Sequence, residues 1–376
     1  MKNSIKLFTI NHISIYLHWS FGLLIALMLF IQSATGTTTS EVLWSVTAVA
    51  AVFACVIFHE LCHSLAAGRY GIHTQSITLL PIGGIAAMEK MPEKPIAEIV
   101  VSAAGPMGNL LIAVALLPFI PGYPPFWKAA DVIRSVNSYN FLYFLYVVNI
   151  MLALFNLIPA FPMDGGRILK GILGLRMDAT RSTAIAAFTG RIIAALFIIG
   201  GLIIFDIVLM LIGFFIIVSG AGEEKMVYLK AAAKGLHLKD LALDTASSFP
   251  ATTTIGEAAE KMLHYRDKYF LVMDNATAAG IIDRNTILRA LSGGKHEAMI
   301  SQFMTANVPT LNEECTMEEA IDKLSGNKVT AMPVVTVNRI MGVVNMQNII
   351  EYLAVHDIQL RERSHNGAMY KFLRAS

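Results

Sequence analysis

Between residues 13 and 220 the chain is largely a series of apolar stretches, each close to the roughly 20 residues that carry a helix across a bilayer. Four lie near residues 13–31, 43–67, 96–117 and 141–158, and a longer run extends from about Ala184 to Gly220. Gly200, Gly201 and Asp206 interrupt that run. It forms either one long helix with a buried aspartate, giving five spans, or two helices with a turn near Gly200–Asp206. An isolated aspartate inside lipid is costly, so about six transmembrane helices are expected. Charge divides the chain in the same way: residues 1–222 carry 21 charged side chains and the remaining 154 residues carry 35. With 55% hydrophobic and 15% charged residues, a wholly soluble, disordered or fibrous chain is excluded. A net charge of +2 gives no electrostatic reason to expect direct binding of nucleic acid. Three cysteines cannot build a disulfide framework.

Basic residues near the ends of spans set orientation. Lys2 and Lys6, Arg69, Lys90 and Lys94, and Arg167, Lys170, Arg176 and Arg181 fall on one side of a six-span arrangement. Lys128 and Arg134 fall on the other. A multi-pass protein with both termini cytoplasmic is expected. Residues 72–87, IHTQSITLLPIGGIAA, are not helix-like: their Thr, Ile and Leu residues, with Pro81, Gly83 and Gly84, point to a short β-hairpin or re-entrant segment.

The second span ends VIFHELCHSLAAGRYG. His59 and His63 are four residues apart and share a helix face, with Glu60 beside them. In H-E-x-x-H, two imidazoles hold zinc and the glutamate serves as general base. The bare pattern is common, but histidine and glutamate are expensive in a membrane segment and default to function there. Catalytic zinc takes a third protein ligand and keeps one position open. The fourth span ends NLIPAFPMDGGRIL, whose prolines break the helix and whose glycines let the chain turn closely. Asp164 reaches the depth of the histidines if this broken segment folds back into the bundle; otherwise it caps the next helix. Two imidazoles, one carboxylate and an open position suit a zinc ion.

His59-Glu60-x-x-His63 on an apolar helix, with Asn156-x-x-Pro159-x-x-x-x-Asp164-Gly165, resembles the site-2 protease family of intramembrane zinc metalloproteases. Residues 102–109, SAAGPMGN, are similar to that family's Gly-Pro-x-x-Asn element at Gly105, Pro106 and Asn109. The resemblance covers roughly residues 12–220. It implies His59, His63 and Asp164 as ligands of one Zn2+ and Glu60 as catalytic base. It also implies cleavage in or near a transmembrane segment of a membrane-tethered protein. Asn109 and Asn156 are candidates for an oxyanion donor or a substrate-backbone contact, with helix packing as the alternative. Gly83 and Gly84 are further substrate-side candidates, because residues Ser76–Ile85 offer a strand edge to an unwound substrate.

The polar half repeats itself. TIGEAAEKML from Thr254 returns as TMEEAIDKLS from Thr316, and GIIDRNTILRAL from Gly280 returns as GVVNMQNIIEYL from Gly342, both at an offset of 62. Each copy reads as helix, strand, then strand–turn–helix, with Thr254 and Thr316 as N-caps completed by Glu257 and Glu319. The pair is similar to a tandem of CBS domains. That resemblance implies clefts that hold an adenosine nucleotide, with Thr254, Thr286, Thr316 and Asn348 as candidate contacts. Neither copy keeps the family's ribose-binding aspartate, and Asp283 would repel phosphate. A dimerisation or substrate-docking module is the alternative, and a homodimer through these domains is a possible assembly.

The expected chain is therefore a polytopic α-helical membrane protein followed by an α/β tandem CBS domain. Its parts are a membrane domain at 1–222, a linker at 223–239, repeats at 240–298 and 299–360, and a tail at 361–376. The expected function is zinc-dependent peptide hydrolysis in the bilayer, modulated by the CBS pair. A catalytically silent membrane scaffold and a CBS-gated transporter or channel are the alternatives.

Overall fold

The computed structural model describes residues 4–363 apart from 82, 89–91, 93, 132–135, 242–246, 266, 275–276, 327–328 and 337–339. Lys2, Lys90, Arg134 and positions 364–376 of the expected tail lie outside the described residues. The chain divides into two units, Met1–Val227 and Tyr228–Ser376.

In the first unit, β1 (Ser4–Ile10), β2 (Ile13–His18), β3 (Thr74–Leu80) and β4 (Gly83–Met88) form one sheet in that order. β1 and β4 run antiparallel to their neighbours, while β2 and β3 pair in parallel with Ser14 opposite Ser76. The expected hairpin is thus half of a larger sheet. The apolar run expected to be helical from residue 13 instead opens as β2. Its physical reason is the two-residue period of Ile13, Ile15 and Leu17, which turns one face inward. Ile13, Ile15, Ile77 and Leu79 are buried against Phe53, Ile57 and Leu61, a stripe four residues apart on the following long helix.

The helices of this unit are α1 (Ser20–Thr35), α2 (Thr39–Gly68), α3 (Pro95–Leu116), α4 (Phe141–Asn156), α5 (Asp164–Gly174), α6 (Ala179–Ile204) and α7 (Ile207–Ala233). Among the described residues, four are long and apolar enough to cross a membrane: α2, α3, α6 and α7; α1 and α4 are apolar but shorter. The long run after Ala184 does break. Phe205 takes a left-handed conformation at φ 56°, and Asp206 Oδ1 accepts hydrogen bonds from the Val208 and Leu209 amides at 2.8 and 3.1 Å. The aspartate is an N-cap, which is how a carboxylate is accommodated there. The linker expected at 223–239 is helical as far as Ala233, and the boundary falls after Val227. The stretch EEKMVYLKAAA contains no glycine or proline to stop α7.

In the second unit the repeat takes its expected form. Copy one contains β5 (Ser248–Pro250), α8 (Ile255–Lys261), β6 (Tyr269–Asp274), β7 (Thr277–Asp283) and α9 (Arg284–Ser292), and β8 (Thr305–Ala306) completes its sheet. Copy two contains β9 (Leu311–Asn312), α10 (Met317–Gly326), β10 (Ala331–Val335), β11 (Ile340–Asn345) and α11 (Met346–Arg363). Phe249, Ile255, Phe270, Val272, Ile282, Ile287 and Ile300 form the buried core of the first copy. Leu271 and Ile281 of that copy cluster with Ala331 of the second.

Candidate metal centre and its surroundings

His59 and His63 lie one turn apart on α2, and both are buried. Asp164 comes from 101 residues further along the chain. It arrives because residues 157–161 fold tightly beneath the start of α5. A Cβ at Gly165 would collide with the carbonyl oxygens of Leu157 and Ile158, so only glycine allows that approach. Asp164 Oδ2 then stands 3.2 Å from His59 Nε2 and 3.1 Å from His63 Nε2, and the two Nε2 atoms are 3.0 Å apart. The sequence's alternative for Asp164, a helix cap remote from the histidines, is not what the fold contains.

The remaining ring nitrogens test whether this cluster fits a metal. His63 Nδ1 donates to the Val101 carbonyl at 2.7 Å, and His59 Nδ1 lies 2.5 Å from Asn109 Oδ1. With a hydrogen on each Nδ1, both Nε2 atoms present lone pairs. Two lone pairs and a carboxylate oxygen crowded together repel one another unless a cation lies among them. Their separations are close to the roughly 3.3 Å that ligand atoms adopt at a tetrahedral zinc with bonds of about 2.0–2.1 Å. The three residues form a group able to hold a metal ion.

Helix α3 forms one wall of this centre. A Cβ at Gly105 would strike His63 Nε2 and would come within 2.6 Å of His59 Nε2, so the helix backbone itself lies against the imidazoles. Pro106, next along, has no N–H to give to the Ser102 carbonyl and loosens the turn whose Val101 carbonyl receives His63.

Glu60 is half-buried on α2 beside β4, where a Cβ at Gly84 would lie 2.9 Å from Glu60 Cγ. Gly83 opens that strand, opposite Leu80 of β3. β4 ends its sheet, and among the described residues it pairs on one side only, with β3, while its Gly84 lies against the glutamate.

The two asparagines that were candidates for an oxyanion donor or a substrate contact, with helix packing as the alternative, both make hydrogen bonds within the helix bundle. Asn109 is fully buried, with Oδ1 at His59 and Nδ2 donating to Asn149 Oδ1 at 2.9 Å. Asn156 donates to the Leu152 carbonyl of its own helix at 2.9 Å. Asn149 itself escaped notice in the sequence, though a lone asparagine in an apolar span is the kind of expensive polar residue that signals a role.

In the second unit, Thr254 and Thr316 accept from the amides of Glu257 and Glu319, each at 3.3 Å, as N-caps. Thr286 donates to Asp283 Oδ2 at 2.7 Å and receives Arg289 Nη2 at 3.1 Å. Asn348 Oδ1 accepts from the Asn345 amide at 3.2 Å, and Asn345 Oδ1 accepts from the Asn348 amide at 3.0 Å. A cavity of about 650 Å³ is lined by Lys268, Tyr269, Asp283, Asn285, Leu288, Arg289 and Thr330, and by none of those four candidates.

Apolar helices around a His-His-Asp cluster with an adjoining glutamate define a class: a membrane-embedded zinc metalloprotease. A family model described as Peptidase family M50 matches residues 47–126 and 127–200, and the CBS domain model matches residues 238–293 and 300–355. The zinc metalloprotease MJ0392 of Methanocaldococcus jannaschii is 30% identical over 359 residues, covering 96% of this chain and 98% of its own. The putative zinc metalloprotease Rip3 of Mycobacterium tuberculosis is 31% identical over 261 residues, covering 64% of this chain and 63% of its own. A solved site-2 protease from Methanocaldococcus jannaschii is 36% identical, covering 59% of this chain and 95% of that one, with a TM-score of 0.43. The chain belongs to peptidase family M50, the site-2 proteases, and is an integral membrane zinc metalloendopeptidase with a tandem CBS pair.

Proposed function

We propose that this protease cleaves membrane-tethered regulatory proteins in or near their transmembrane segments. Anti-sigma factors, tethered transcription factors and remnant signal peptides are the substrate classes. The observation that carries this reading is the convergence of three ligand atoms beside Glu60 and β4, the end strand of its sheet. His59, His63 and Asp164 hold the zinc. Zinc, when bound, lowers the pKa of water towards about 7 and polarises a carbonyl. Glu60 takes the proton from the attacking water and returns one to the leaving amine. The β4 edge holds the substrate extended, since a helical substrate hides its peptide bonds in its own hydrogen bonds. Six apolar helices, α1 to α4 with α6 and α7, form the spans, with both termini and the CBS pair cytoplasmic.

The deciding experiment is co-expression with candidate single-span proteins. Wild type releases a shortened product; Glu60→Gln keeps its zinc and loses cleavage by at least about a hundredfold, the lower range for general-base catalysis. Cleavage undiminished in Glu60→Gln overturns the mechanism. Proline placed in turn at Gly84, Ile85, Ala86 and Ala87 tests the strand edge. At alternate positions the lost N–H faces away from β3, and there cleavage should fall while zinc stays. Unchanged cleavage at all four sites removes β4 from the mechanism.

The CBS pair modulates this activity by taking an adenosine nucleotide in the cavity lined by Lys268, Arg289 and Asp283, where two cations outnumber the one carboxylate that opposes phosphate. Calorimetry of the purified protein with AMP, ADP and ATP should give saturable heats that are lost in Arg289→Ala. Flat titrations leave the pair as a dimerisation or docking module.

A further inference from the structure

We infer that Asn149 is a positioning residue for the metal centre: acting through Asn109, it dictates which nitrogen of the His59 ring carries the hydrogen and so keeps Nε2 free to bind metal. The inference rests on the reading of His59, His63 and Asp164 as zinc ligands. A neutral imidazole has one N–H and one lone pair, and the partner of one nitrogen decides the state of the other. For His63 that partner is the Val101 carbonyl, which can only accept. For His59 it is the carboxamide of Asn109, which presents an acceptor on one side and a donor on the other. The ligand role of His59 therefore depends on which way Asn109 faces.

The structure fixes that direction from a distance. The Leu145 carbonyl can only accept, and Asn149 Nδ2 donates to it at 2.8 Å, with Cys55 Sγ also within 3.3 Å. Asn149 Oδ1 is thereby turned towards α3, where it accepts from Asn109 Nδ2 at 2.9 Å. Asn109 Oδ1 is left facing His59 Nδ1, which must then be the protonated nitrogen. Every link points the same way, from the ring of His59 to a backbone carbonyl on α4. Both asparagines are fully buried, so bulk solvent does not compete for these hydrogen bonds. Among the described residues, Asn149 is the partner that holds the far side of the Asn109 carboxamide, and without it the amide is free to turn over. Its N–H would then face Nδ1, the ring hydrogen would move to Nε2, and it would point into the space shared with His63 and Asp164.

The test uses full-length protein in detergent. Zinc affinity is read by competition with a chromophoric chelator. The position of the ring hydrogen is read by 15N resonance of histidine-labelled, zinc-free protein, with His59 assigned from the signals missing in His59→Gln. Asn149→Leu is expected to weaken zinc binding 10- to 100-fold, the range for lost outer-shell partners, and to move the His59 hydrogen from Nδ1 to Nε2. Asn109→Asp combined with Asn149→Leu is expected to restore both, because a carboxylate accepts whichever way it faces. Asn149→Ala serves as the second variant if the leucine disturbs folding. Wild-type affinity with the hydrogen still on Nδ1 in the Asn149 variants overturns the inference. So does a double variant no better than Asn149→Leu, which would reduce the residue to packing. Asp164→Asn and His63→Ala run alongside; zinc binding unchanged in those would sink the ligand assignment itself and not the relay alone.

Discussion

Replacing Gly105 by alanine adds one methyl group, and that methyl has nowhere to go. It would overlap His63 Nε2 and come within 2.6 Å of His59 Nε2. Alanine is a better helix former than glycine by about 1 kcal/mol, so a weakened α3 cannot account for any loss. Gly105→Ala is expected to purify as a folded protein that retains little zinc by elemental analysis. Full zinc occupancy in that variant would show that α3 stands further from the imidazoles than the geometry requires. The pairing of His59 with His63 was legible because its evidence is local, a four-residue spacing on one helix face; the chain break around Asp164 was legible too, but its arrival beside the histidines from 101 residues away was expected only through the family resemblance. The contribution of Gly105 was not legible, since a glycine in an apolar helix has many explanations until its neighbour across the interface is known.

At the scale of elements, α5 deserves a ledger of its attachments, because its first residue is Asp164. Lys170 on α5 pairs with Glu98 on α3 at 2.7 Å, and both side chains are largely buried. Breaking a buried pair on one side leaves a charge without compensation and typically costs 3–5 kcal/mol. Lys170→Met should therefore destabilise the membrane unit by about 3 kcal/mol in thermal unfolding. Lys170→Met with Glu98→Leu should recover most of it, because well-packed apolar residues often replace such pairs without loss. A single variant as stable as wild type would show that the pair contributes nothing. Element boundaries were read with mixed success, and the reasons are physical. The break at Asp206 follows from the cost of a carboxylate in lipid. The strand β2 reads as the start of a helix when the apolar run is taken whole, because its two-residue period covers only Ile13, Ile15 and Leu17 before the chain continues into α1, and its parallel partner β3 lies some 60 residues away.

For the whole molecule, the division after Val227 predicts two thermal events. A ligand that binds only one folded unit stabilises that unit alone, by about 2.7 kcal/mol when free ligand is at 100 times its dissociation constant. Removing zinc with a chelator should lower the transition of the membrane unit and leave the CBS transition in place, as followed by scanning calorimetry. Movement of both transitions together would mean that the two units unfold as one. Fold class at this scale was legible, because charge density, apolar run length and the 62-residue offset are properties of the chain that need no partner.

Helix α7 is unbroken across that division, and its two acids are already engaged: Glu223 with Arg167 at 3.1 Å and Glu224 with Arg191 at 2.9 Å. Ten residues of helix, about 15 Å, separate Glu223 from Ala233. Over so short a length a helix behaves as a stiff shaft. At its membrane-unit end that shaft is pinned to the metal centre's own helix: Glu223 holds Arg167, which stands on the first turn of the helix that begins with Asp164.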